Sequence, residues 1–158
     1  MTTSSTRSAQ GHTTDFTVSG TWSGTMSGGR GELGASGLRV IHSVPGDLGG
    51  CGSGTNPEEL LAAAASSCAI ITLAAILESQ SGAPVQLQCV TTAQFRASRT
   101  GPVPVGIAHD ISLSAHVPDL DTKRTSGLVE RNCMISQALA GNVPVTVQIA
   151  NAASPVPA

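Results

Sequence analysis

The sequence predicts an α+β fold. An apolar run at 60–77 holds no Gly or Pro, short stretches of alternating apolar and polar residues flank it, and glycine-rich breaks separate them. The 158 residues are enough for one domain, expected at 15–151 between a Ser/Thr-rich tail (1–14) and the C-terminal tail AASPVPA (152–158).

Taken in chain order, Phe16, Val18 and Trp22 stand near alternate positions and predict a first strand; LRVIHSV (38–44), rich in β-branched residues, predicts a second. PGDLGGCGSGT (45–55) is a loop by its glycines. Helix-start signals then coincide: Thr55 or Asn56 can cap, Pro57 suits the first turn, and Glu58 and Glu59 complement the positive helix end. The helix should reach about Glu78. It is apolar nearly all round and so reads as a buried central helix, ended by SGAP (81–84). The segments 84–97 and 105–117 alternate as two antiparallel strands joined by a turn at Gly101-Pro102. A second helix is expected over 126–140 through Leu128, Ile135 and Leu139, stopped by Gly141-Asn142, before a last strand at 143–150.

Composition removes several functions. Eight Lys and Arg scattered along a chain of net charge -2, with Phe16, Trp22 and Phe95 as the sole aromatics, give no footprint for nucleic acid. No 18-residue run is both uncharged and wholly apolar, so no membrane partner is expected. The first residues have no apolar core, so a secretory signal is not expected and a cytoplasmic location is. A core of Val, Leu, Ile and much Ala is thin for this length, which predicts that a second copy completes it as a homodimer.

Gly29-Arg30-Gly31-Glu32-Leu33-Gly34 matches the dinucleotide pattern G-x-G-x-x-G, but the residues after it lead into a strand rather than a helix N-terminus. The glycines are expected to shape a hairpin. The cysteines are Cys51, Cys68, Cys89 and Cys133; without CxxC or HxxxH spacing, neither a metal site nor a cofactor is expected. Cys68 shares a helical stripe with Leu61, Ala64, Ile71 and Ala75, where a thiol ordinarily just packs, and Cys133 falls mid-way along the second predicted helix. Cys51 reads as an exposed thiol and Cys89 as structural. His42, His109 and His116 fall on strands, His12 in the tail, with no shared spacing.

The segment Gly54-Thr55-Asn56-Pro57-Glu58-Glu59-Leu60-Leu61-Ala62-Ala63-Ala64, continuing to Cys68, resembles the hallmark of the OsmC/Ohr family of thiol peroxidases. There a T-N-P-E-x-L segment opens the central helix and the reactive cysteine lies ten residues after its Glu. Cys133-Met134-Ile135-Ser136 resembles the family's C-P-x-S segment, Ser27-Gly28-Gly29-Arg30 its arginine segment, and Asp47-Leu48-Gly49-Gly50 is Ohr-like. The similarity spans roughly 16–150. Two departures stand out: Met134 replaces the proline, and Ala69 replaces the aromatic after the first cysteine.

The resemblance implies a fold of antiparallel sheets around the central helix in an intertwined homodimer. It implies that Cys68 reduces organic hydroperoxides, and hydrogen peroxide less well, through a sulfenic acid that Cys133 resolves as a disulfide. A dithiol reductant, such as a lipoylated protein, would recycle it. Arg30 is the candidate cation lowering the Cys68 pKa, with Glu58 orienting Arg30; Arg39, Arg96 and Arg131 compete for that role. Ten residues of straight helix span about 15 Å, so Glu58 cannot act on Cys68 directly unless the helix bends. Arg30 must bridge them, or one member must come from a partner chain. The alternative reading is a non-enzymatic dimeric thiol protein that senses oxidants or binds small apolar ligands.

Overall fold

Strands come first in the chain because their residues alternate and because glycines allow tight returns. A computed structural model of the chain describes residues 13–82, 84–99 and 101–152. The two tails assigned from sequence lie outside these except for residues 13, 14 and 152. The chain divides into two compact units, one ending at Thr55 and the other beginning at Asn56.

The N-terminal unit is a three-stranded antiparallel sheet, β1 (Ser19–Ser23), β2 (Arg30–Ala35) and β3 (Leu38–His42), in the order β1-β2-β3. The first strand starts later than expected, leaving Phe16 and Val18 outside it and exposed. Trp22 pairs with Gly31, and Gly31 with His42. A Cβ on Gly31 would collide with the Thr21 carbonyl oxygen and the His42 ring. That glycine therefore lets the imidazole lie across β2, with its ring 5.7 Å from that of Trp22. The G-x-G-x-x-G match thus ends in strand packing, as expected; its last two glycines lie within β2 itself.

The C-terminal unit carries the long helix α1 (Pro57–Ser81), the strands β4 (Leu87–Arg96), β5 (Val103–Leu113) and β6 (Val145–Ala150), and two short helices, α2 (Thr122–Asn132) and α3 (Met134–Leu139). The start of α1 obeys the sequence signals. Asn56 Oδ1 accepts the Glu59 amide at 2.8 Å, Pro57 takes the first position, and Gly82 closes the helix at φ 67°. Along α1 the buried positions are Ala65, Ala69, Leu73 and Leu77, a stripe of spacing four that packs on Ile107, Ile111, Leu113, Val129 and Val147. The small Ala residues let the sheet approach closely.

Three expectations are corrected. The sheet has order β4-β5-β6, and β6 runs parallel to β5, so the sheets are not all antiparallel. The cause is the α2–α3 segment between those strands, the helical crossover that parallel neighbours require. In the single chain α1 is buried along one stripe and not all round, and the stripe named from sequence is not the buried one: Ala64, Ile71 and Ala75 are exposed. It is also long and apolar enough, by length and composition, to cross a membrane, a property that the core helix of a soluble protein shares. Finally, the helix expected over 126–140 is two helices. Asp121 caps α2 by accepting the Arg124 amide at 2.9 Å, and Cys133, extended at φ -69° and ψ 117°, breaks the run.

Candidate thiol site

The break at Cys133 builds the site. Because its backbone is extended, Cys133 ends α2, donating its amide to the Val129 carbonyl at 2.8 Å. It also begins α3, accepting the Gln137 amide at 3.0 Å. Its side chain is fully buried, at 0% exposure, and meets Cys68 on α1. The two free thiols are neighbours and interact electrostatically, so the fold brings together the pair the sequence singled out.

Both sulfurs sit among the first amides of α3. The Ile135 and Met134 amides act electrostatically on Cys68, and those of Ser136 and Ile135, with the Ser136 hydroxyl, on Cys133, whose side chain makes no capping hydrogen bond in α3. Burial pushes the Cys68 thiol up, and its proton shared with Cys133 holds it there against the two amides. Burial also acts to raise Cys133, but the Cys68 thiol, the Ser136 hydroxyl and the two amides outweigh it, so Cys133 lies below the ordinary thiol range. In the sequence Ser136 stands out only as motif context.

Glu58 stands in the first turn of α1, and one of its carboxylate oxygens, Oε2, is buried without a hydrogen-bond partner among the described residues. Glu58, Glu59, Ala62, Thr91, Thr92, Ala93 and Phe95 line a cavity of about 290 Å³. Since α1 is continuous, Glu58 stays about 15 Å from Cys68 along the axis, consistent with an indirect role. A buried carboxylate oxygen without a donor is costly and calls for a cation or donor from outside its own helix.

In the N-terminal unit, Arg30 opens β2 and is exposed. Its rival Arg39 is engaged with Glu32 at 3.1 Å. Cys51 is exposed, as expected, and its thiol donates to the Gly29 carbonyl at 3.3 Å. The Ser43 hydroxyl, then the Ser53 amide, with a smaller contribution from the Arg30 charge, hold it below the usual thiol range. Sequence reasoning gives Cys51 exposure but no chemistry.

Cys89 is half-buried on β4, with its sulfur 3.4 Å from Thr91 Oγ1; that hydroxyl lies 2.8 Å from Nδ1 of His109 on β5. His109 is 1% exposed, and its Nε2 has no partner among the described residues. Burial pushes this imidazole below its ordinary pKa, opposed by Asp110. Among the described residues no group of three or more His, Cys, Asp and Glu could hold a metal ion.

With this geometry in place, comparison with known proteins is informative. The family model for OsmC-like protein matches residues 49–148, the segment holding the α1 start, Cys68 and Cys133. The chain is 31% identical over 134 residues to an organic hydroperoxide resistance protein of Xanthomonas axonopodis pv. citri, covering 80% of this chain and 91% of that protein. It is 33% identical over 130 residues to Bacillus subtilis YmaD, covering 75% and 82%. The fold is similar to the crystal structure of the organic hydroperoxide resistance protein OhrB of Bacillus subtilis, with TM-score 0.62 and 22% identity over 85% of this chain and 98% of that one. An organic hydroperoxide resistance protein of Legionella pneumophila gives TM-score 0.67 at 22% identity, covering 87% and 99%. The family match and the identity over most of both chains carry the conclusion: this chain belongs to the OsmC-like family, whose hydroperoxide-resistance members link it to resistance against peroxide or oxidative stress.

Proposed function

We propose that the protein is a cysteine peroxidase that reduces organic hydroperoxides to alcohols. The observation that carries this reading is the pairing in space of the free thiols Cys68 and Cys133. In this reading Cys68, half-buried, is the thiol that meets peroxide, and Cys133, fully buried, resolves it. Cys68 attacks one peroxide oxygen, the O–O bond breaks, and a sulfenic acid forms. Cys133 then attacks the Cys68 sulfur, giving a disulfide and releasing hydroxide. A dithiol, such as a lipoylated protein, restores both thiols by exchange.

In this reading Arg30 supplies positive charge to the reacting sulfur and peroxide, and Glu58, whose buried oxygen lacks a donor among the described residues, is the carboxylate that orients a guanidinium. The exposed apolar positions of α1, Ile71 among them, fit a homodimer in which a second copy covers the helix. Function in the cytoplasm belongs to the same reading, because the disulfide must be reduced at each turnover.

Peptide mapping after one equivalent of an organic hydroperoxide, followed by turnover with a dithiol, tests the proposal. A Cys68–Cys133 disulfide and repeated turnover are expected, with Cys68→Ser inactive and Cys133→Ser halting after about one turnover with sulfenic or sulfinic acid at Cys68. Pairing through Cys51 or Cys89, or full multiple turnover by Cys133→Ser, refutes the assignment. One oxidation without turnover would favour the sensing alternative.

A further inference from the structure

We infer that Cys51 is a positioning residue for Arg30, its thiol holding the peptide group from which the Arg30 side chain springs. This deepens the peroxidase reading and rests on it, since that reading gives Arg30 its part in the peroxide step. The contact is direct. Cys51 Sγ donates to the carbonyl oxygen of Gly29, a buried residue, at 3.3 Å. That oxygen belongs to the planar peptide group whose nitrogen is the Arg30 nitrogen, so tilting the plane swings the root of the arginine side chain. Arg30 is exposed at the first position of β2, and its guanidinium has no ion pair among the described residues. Its placement therefore depends on the backbone that carries it.

The two loops that meet at this contact are each fixed on their far side. In the turn before Arg30, the Gly29 amide donates to the Thr25 carbonyl at 2.7 Å and the Gly28 amide to Thr25 Oγ1 at 3.0 Å. A Cβ on Gly29 would collide with the Thr25 and Ser23 carbonyl oxygens and the Trp22 ring, so the turn closes only on glycine. On the other side, Cys51 stands between Gly50 and Gly52, whose amides donate to the Pro45 carbonyl at 2.9 Å and the Val44 carbonyl at 3.1 Å. Gly50 lies so close to Val44 that a Cβ would strike that carbonyl too. The Ser53 amide donates at 2.7 Å to the hydroxyl of Ser43, which is 2% exposed. A thiol on an anchored backbone thus spans to a clamped peptide group. An S–H is a weak donor, yet the guanidinium at the end of a long side chain moves further than the backbone beneath it. Small misplacements of a group that acts on reacting atoms are costly.

The test pairs a structural readout with a kinetic one. Cys51→Ala should shift the Arg30 backbone amide signal in proton–nitrogen correlation spectra. It should also slow single-turnover oxidation of Cys68 by an organic hydroperoxide about threefold, the scale of one weak hydrogen bond lost. Cys51→Ser, which keeps a donor, should restore most of both. In an Arg30→Ala background the same Cys51→Ala change should slow the step no further, because the two residues act through one guanidinium. A loop that serves folding alone would slow both backgrounds equally. Equal slowing in both, an unmoved Arg30 amide, or a serine variant no better than alanine overturns the inference and leaves the peroxidase reading standing. Arg30→Ala oxidised at the native rate overturns it as well. A native chain whose Cys68 ignores hydroperoxide overturns the peroxidase reading and this inference with it.

Discussion

Met134→Pro removes one hydrogen-bond donor from the reacting sulfur and changes little else. The Met134 amide acts on Cys68 to lower its pKa, while its side chain is 72% exposed. Met134 is the first residue of α3, where proline is well tolerated. Cys133 before it, at φ -69° and ψ 117°, already has the extended backbone that proline demands of its predecessor. The donor lost is therefore nearly the whole perturbation. A hydrogen bond to a charged acceptor contributes about 1.5–3 kcal/mol, and the Met134 amide, the smallest of the influences on a half-exposed Cys68, falls below that range. At 1.4 kcal/mol per factor of ten, the thiolate fraction at neutral pH falls by about two- to threefold, and the peroxide step with it. The Cys68 thiol, already raised by burial, moves further up. In strongly alkaline solution the deficit should vanish or reverse, because a more basic thiolate is more nucleophilic. The assay is the stopped-flow rate of sulfenic acid formation against pH. The comparison is with Met134→Ala, which loses the side chain but keeps the amide. Superimposable profiles for the two variants would refute the claim that this amide acts on the reacting sulfur.

Other consequences are open to measurement. Arg30→Ala should slow the peroxide step and Arg30→Lys recover only part, since lysine supplies charge without the planar fork; equal rates in all three chains remove Arg30 from the mechanism. Timed alkylation at neutral pH with peptide mapping should modify Cys51 before the other three cysteines, because it is exposed and held acidic by Ser43 and Ser53; prior labelling of Cys89 would contradict this. His109 is buried neutral with its folded pKa below its unfolded value, so its contribution is fully present above about pH 6.5 and is lost as pH falls toward the folded pKa. Urea melts between pH 7 and 5 should therefore show stability falling with acid, with a flatter slope in His109→Gln; identical slopes count against this. Around Cys68 the surface of α1 offers Leu60, Leu61, Ile70 and Ile71, while Leu73 belongs to the core. Burying two methylenes there at about 0.8 kcal/mol each favours alkyl hydroperoxides over hydrogen peroxide about tenfold in kcat/KM, and equal constants would remove the apolar-pocket argument.

Signals confined to a few neighbouring residues are legible in the sequence. Asn56, Pro57, Glu58 and Glu59 fix the start of α1, because capping and dipole effects act within one turn. Alternation marks β4 and β5, and the T-N-P-E and Cys133-to-Ser136 segments mark the family. The Asp121 cap is equally local, yet the apolar spacing of Leu128, Ile135 and Leu139 outweighs it on paper and places the second helix too far along the chain. What the tertiary structure alone decided is of another kind. That β6 lies parallel to β5 depends on the crossover between them, and the buried stripe of α1 depends on which face meets the sheet, a choice that an all-round apolar helix leaves open. The substitution of Met134 for proline can be read in the motif; that its amide acts on the Cys68 sulfur cannot. Nor can the burial of Cys133 beside Cys68. Those facts need two segments far apart in sequence to meet around an extended residue between two helices, and hydrogen bonds and burial act through distance in space, which sequence spacing does not encode.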